Sequence, residues 1–157
     1  MRKKMDTKVL TRLQTQCSRR EYCSREVYAK AVKALEGDES GAAEIVEALE
    51  KDGFVDDGRY AAAFARDKSA LSGWGPVKIR SALLARGVPR EAVLEALETV
   101  DPDRATARLE KVLETKWRTL RDDPQGRLKL IRFALSRGYD YDPVRPLVER
   151  ITRPDAD

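Results

Sequence analysis

Three short segments, each closing on a glycine, recur along this chain: "KALEG" (33–37), "LLARG" (83–87) and "ALSRG" (134–138). Their glycines stand 50 and 51 residues apart. A glycine after an apolar and basic run closes a helix, because it takes the left-handed conformation of the C′ position at no steric cost. Recurrence at that period points to tandem units, none able to bury its own apolar stripe alone. The flanks agree. Leu84 and Leu135 each stand three residues before their glycine, Val88 and Tyr139 directly after it, and Val93 and Val144 six after it. The first segment is looser, with Leu35 before Gly37 and Ile45 and Leu49 beyond it.

The remaining punctuation is helical too. Asp-Pro pairs at 101–102, 123–124 and 142–143 suit a capping Asp followed by Pro in the first turn. No stretch shows sustained strand alternation. Helices are predicted near 8–20, 24–36, 41–52, 57–71, 76–86, 89–100, 102–121, 124–137 and 142–151. The expected fold is all-α, an elongated right-handed-helix array of three tandem three-helix repeats. The repeats are expected at 1–53, 54–100 and 101–153, with a tail at 154–157.

Composition fits an array better than one thick core. Charged residues make up 37% of the chain and aromatics 6%, a surface-rich balance. The net charge of +4 conceals segregation: +7 over residues 1–35, −8 over 36–57, +6 over 58–90, −5 over 91–103 and +4 over 104–121, with 122–157 balanced. First and second helices are basic and third helices acidic. Such a division predicts separate basic and acidic surfaces. A basic strip is the electrostatic footprint of nucleic-acid binding. It serves an acidic protein groove equally well.

Catalysis finds little support. The chain has no histidine, the commonest general acid–base residue. Phosphate-binding glycine loops, zinc-protease motifs and nucleophile elbows are all missing. Cys17 and Cys23 are too few for a disulfide framework or a zinc site, and are read as structural or inert thiols. The expectation is a non-enzymatic protein without cofactor or metal. It is also expected to be monomeric, cytoplasmic and free of any membrane-spanning segment.

With these residues in view, the chain resembles the RecX regulatory proteins. Gly53-Phe54, Asp57, Tyr60-Ala61, Gly75, Ile79, Leu83 and Gly87-Val88 follow the pattern of that family's central repeat. "LIRFALSRGYDYDPVRPLV" (130–148) resembles its C-terminal repeat and "LTRLQTQCSRREYCSREV" (10–27) its N-terminal one. The first unit departs from the pattern, with Ala34 where Leu is usual and a longer loop after Gly37. The resemblance implies a protein that binds the RecA recombinase on DNA, lies in the groove of its filament and inhibits its growth, ATPase and strand exchange. It also implies roles in recombination, DNA repair and the SOS response. Direct binding to single- or double-stranded DNA is a further implication, and a sequence-independent DNA-binding protein acting without RecA is the rival reading. A helical scaffold without a nucleic-acid role is a third.

The candidate contacts to RecA or DNA are the cations of the basic helices: Arg59, Arg66, Lys68, Lys78, Arg86, Lys116, Arg118, Arg121 and Arg137. Arg59, Arg66, Lys68, Lys78 and Arg86 are expected to be solvated. Arg86 and Arg137 precede their glycines, where a cation also complements the helix dipole. Trp74, between two glycines, is expected to lid the core rather than stack on a base, and Trp117 to be half-buried. Arg80 falls inside the apolar arc of its helix wheel. It is expected to form a buried ion pair with Asp56 or Asp57.

Overall fold

The computed structural model describes residues 4–154, so all but the first residue of the expected tail lies outside the described residues. Among them the regular structure is helical throughout: α1 (Thr7–Arg19), α2 (Ser24–Ala34), α3 (Glu39–Lys51), α4 (Asp57–Ala70), α5 (Pro76–Ala85), α6 (Arg90–Glu98), α7 (Pro102–Leu120), α8 (Gly126–Ser136) and α9 (Tyr141–Thr152). This is an all-α helical repeat fold. No helix of the described residues is long and apolar enough to cross a membrane.

The chain packs as two compact units. One comprises Met1–Ala63 with Leu83–Ala96, the other Phe64–Ala82 with Leu97–Asp157. In the first unit, Val9 and Leu13 of α1, Val27 and Ala31 of α2, and Ile45 and Leu49 of α3 form the buried stripe. Each pair is spaced four residues apart, as one helix face requires. Asp6 starts α1 by accepting from the Lys8 and Val9 amides at 3.1 Å, and Asp38 starts α3 by accepting from Gly41 at 2.9 Å. The loop after Gly37 is not long. Asp38 is its only other residue before α3 begins at Glu39. Asp38 serves instead as the cap of α3.

Cys17 and Cys23 are buried, free thiols in this unit. Burial pushes the Cys23 thiol up to about 11, although it opens α2.

In the second unit the core is built by Leu109 and Leu113 of α7, Leu130 and Ala134 of α8, and Val144 and Val148 of α9. Asp101 caps α7 with Pro102 in the first turn, as the sequence suggests. The other two Asp-Pro pairs do different work. Asp123 accepts from the Gln125 amide at 2.8 Å and pairs with Lys129, and Pro124 lies in the turn before α8. Asp142 and Pro143 sit inside the first turn of α9, which starts after Asp140. Gly126 begins α8 where α7 ends. A β-carbon there would strike the Leu120 carbonyl oxygen and approach the Trp117 ring at 3.1 Å, so no larger residue fits.

Candidate partner-binding surface

Two of the recurring glycine segments, 83–87 and 134–138, lie where helix ends meet. In the second unit, the start of α5 receives the end of α8. The Gly75 amide donates to the Arg137 carbonyl at 2.7 Å and the Val77 amide to the Gly138 carbonyl at 2.9 Å. Orphan amides of one helix thereby satisfy orphan carbonyls of another. In the first unit, the start of α2 receives the end of α5 by side chains instead. Arg25 donates to the Ala85 carbonyl at 3.0 Å, and the Cys23 thiol faces the Arg86 carbonyl at 3.7 Å. Cys23 corresponds to Gly75 in these junctions, and Arg86 to Arg137. Where the first residue is glycine the backbones touch; where it is cysteine, side chains span the gap.

Around the second junction, four of the expected cations form one connected set. The ammonium groups of Lys68 and Lys78 lie 4.7 and 4.5 Å from the centre of the Trp74 ring. Trp74 also meets Phe64 edge-on at 6.1 Å. Gly138 packs on the stem of Lys78, leaving no room for a β-carbon. Next to it, the Arg137 guanidinium lies over Phe133 at 5.3 Å, and Lys116 over the same ring at 5.2 Å. Each such contact contributes about 0.5–1 kcal/mol at a part-exposed site and fixes the position of its charge.

These placements revise the sequence expectations. Lys68 and Lys78 are half-buried, not freely solvated, because each holds its ammonium group over the Trp74 ring. Trp74 is also half-buried, and holds two cations while forming one wall of an apolar hollow. Arg137 is more than a dipole partner: it also donates to the Ser72 carbonyl at 3.3 Å. Tyr139 beside it is buried, which raises its phenol above the usual range against the opposing charges of Arg137 and Arg108.

The other candidates stand outside that set of ring contacts. Arg59 is exposed but engaged, donating to Glu21 at 2.7 Å and to the Gly53 carbonyl at 3.0 Å. Arg86 is exposed at the end of α5. Arg118 and Arg121 are exposed at the end of α7. Arg66 is exposed and lines a hollow with Arg104 and Arg108, two arginines one helical turn apart that the sequence reading passed over. Their spacing of four on α7 was the available signal.

Arg80 is a correction. It stands exposed, and its expected partners are committed elsewhere. Asp57 accepts from both the Ser24 amide and the Ser24 hydroxyl at 2.7 Å, while Asp56 accepts from the Arg59 amide at 3.0 Å. The wheel overestimated the buried arc of α5. Ile79 and Leu83 are buried, but Leu84 is 45% exposed, so the side on which Arg80 lies faces solvent.

The model of the RecX second three-helix domain matches residues 56–97, and that of the third three-helix domain matches 103–147. The regulatory protein RecX of Chromohalobacter salexigens is 40% identical over 106 residues, covering 66% of each chain. That of Clostridium perfringens is 32% identical over 111 residues, covering 68% of this chain and 51% of the relative. The chain thus spans from about half to about two thirds of the length of these curated relatives. A crystal structure of RecX from Lactobacillus salivarius superimposes with a TM-score of 0.82 over 92% of this chain and 95% of that one, at 20% identity, which speaks for the fold. Two RecX domains matched in their proper order, on the helices whose ends build the second junction, lead to one assignment: the chain belongs to the RecX family.

Proposed function

We propose that this protein binds the RecA recombinase filament on DNA and inhibits its activity in recombination and DNA repair. The observation that carries the reading is the ordered match to two RecX three-helix domains, at 56–97 and 103–147. In this reading the chain carries three repeats, at 1–53, 54–100 and 101–153, and acts as a cytoplasmic monomer without catalysis of its own. Lys68, Lys78, Lys116 and Arg137 supply a positioned cationic contact, because the rings of Trp74 and Phe133 fix their charges. Arg66, Arg86, Arg118 and Arg121 add exposed positive charge. Arg59 contributes less, since Glu21 already neutralises it.

The test is the ATPase rate of the cognate RecA on single-stranded DNA, titrated with this protein. A saturable fall in rate is expected. An unchanged rate at several-fold excess rules the reading out. A second reading, sequence-independent DNA binding without RecA, draws on the exposed arginines Arg66, Arg118 and Arg121. Under it the protein binds bare DNA equally well whether or not RecA is present.

A further inference from the structure

Two hollows adjoin in the second unit. One, of about 280 Å³, is walled by Trp74, Ile79, Leu97, Val100, Leu109 and Leu147. Ligand pockets for whole small molecules start at about this size, so it suits one large apolar side chain. The other, of about 380 Å³, is edged by Arg66, Arg104 and Arg108. Ser69, Val100 and Ala105 line both, so the two share a wall. One acid borders the arginine hollow, Asp101, and one oxygen of its carboxylate caps α7 through the Asp103 and Arg104 amides. Arg104 and Arg108 stand one turn apart on α7. Like charges at that spacing destabilise a helix, a cost that a bound anion removes.

We infer that this pair of hollows is a docking groove for an acidic peptide segment bearing a leucine or phenylalanine anchor. The anchor fills the apolar hollow, and one or two neighbouring carboxylates meet Arg66, Arg104 and Arg108. Charge complementarity selects the acid, since guanidinium groups pair with carboxylates through parallel hydrogen bonds. The apolar walls select a hydrocarbon anchor over a nucleobase. A base carries polar edges, and the apolar hollow offers them few side-chain partners beyond Ser69, Thr106 and Tyr139. The inference stands apart from the proposed function: it needs no RecA, and each fails in a different assay.

The test uses the full chain and a short fluorescein-labelled peptide of glutamates around one phenylalanine, read by polarisation. Saturable binding is expected. Affinity should fall about tenfold or more when the glutamates become glutamines, or when the phenylalanine becomes alanine. It should fall as far in Arg104→Gln/Arg108→Gln, which removes charge without reversing it, and in Thr106→Trp, which fills the mouth of the apolar hollow from an exposed position. Unchanged melting temperatures show that these variants fold; if one does not, the other and the two altered peptides still decide. No saturable binding overturns the inference. So does equal binding of the peptide without its anchor, which makes the attraction charge alone. Displacement by a single-stranded oligonucleotide of equal affinity, unaffected by Thr106→Trp, would assign the arginines to nucleic acid instead and overturn it as well.

Discussion

Gly75 and Gly138 meet backbone to backbone, so that a β-carbon on Gly75 would lie 2.5 Å from the carbonyl carbon of Gly138. Gly75 stands just before α5 and Gly138 just after α8, and their close approach explains why both positions hold glycine. Gly138 needs its glycine twice. Its φ of +94° lies in the left-handed region, and a β-carbon on it would meet the Lys78 amide nitrogen at 2.7 Å.

Gly75→Ala should therefore destabilise the protein by about 1–3 kcal/mol, through overpacking against backbone that cannot move aside. Gly53→Ala is the control. Its φ is +79° but nothing lies within 4 Å of the added carbon, so only backbone strain of about 1 kcal/mol is expected. Urea denaturation followed by circular dichroism distinguishes the two. Equal losses would mean that the close approach does not matter.

Asp57 holds the start of α2 by accepting from the Ser24 amide and hydroxyl together. Asp57→Ala leaves that amide without its partner, and a loss of about 1–3 kcal/mol is expected. Ser24→Ala removes the hydroxyl alone and should cost less. A larger loss in Ser24→Ala than in Asp57→Ala would contradict the assignment.

Stability should decline in alkali. The Cys23 thiol, pushed up to about 11 by burial, stays protonated in the folded state while the unfolded thiol ionises above its ordinary value near 9. The phenols of Tyr60 and Tyr139 are raised as well, chiefly by burial. Each raised group contributes stability that is complete below its unfolded value and is lost as pH climbs through its folded one. The denaturation midpoint should thus fall between about pH 9 and 11, and Cys23→Ala should flatten the early part of that fall. A midpoint that stays level across this range would refute the burial argument. In native protein below pH 9, a thiol reagent should label Cys23 only as fast as the fold opens.

Charge reversal at Arg66, Arg118 and Arg121 should leave the melting temperature within a degree or two, since all three side chains are exposed. Reversal at Lys78 or Arg137 should lower it, because Trp74, Phe133 and the Ser72 carbonyl hold those cations. Thermal melts of the two sets of variants check this. A stable Arg137→Glu protein would show that the junction does not depend on its side chain.

Much of this was legible in the residues themselves. The glycines at 37, 87 and 138 all adopt positive φ at helix ends. Paired positions such as Val93 and Val144 are both buried. Local steric rules act on a few neighbouring residues, so they leave a local trace. What failed were inferences about neighbours distant in sequence. The wheel put Arg80 in the core because it counts apolar residues without knowing which face has a partner. Asp123-Pro124 reads as a helix start, but α8 begins two residues later, at Gly126, because the Asp123 carboxylate holds the turn before it, one oxygen on the Gln125 amide and the other on Lys129. The pairing of Lys68 and Lys78 on Trp74 depends on a turn geometry that spacing does not encode.

The most direct test of filament recognition is binding across a salt series, on RecA–DNA filaments and on the same DNA bare. Phosphate contacts release counterions, so binding to bare DNA should weaken steeply with salt. Contacts to protein subunits include apolar and shape-matched parts that salt barely screens, and several engaged units multiply affinity only where the spacing fits. Filament binding should persist at a salt concentration that abolishes binding to bare DNA. Parallel loss on both would contradict it and favour a general DNA-binding protein.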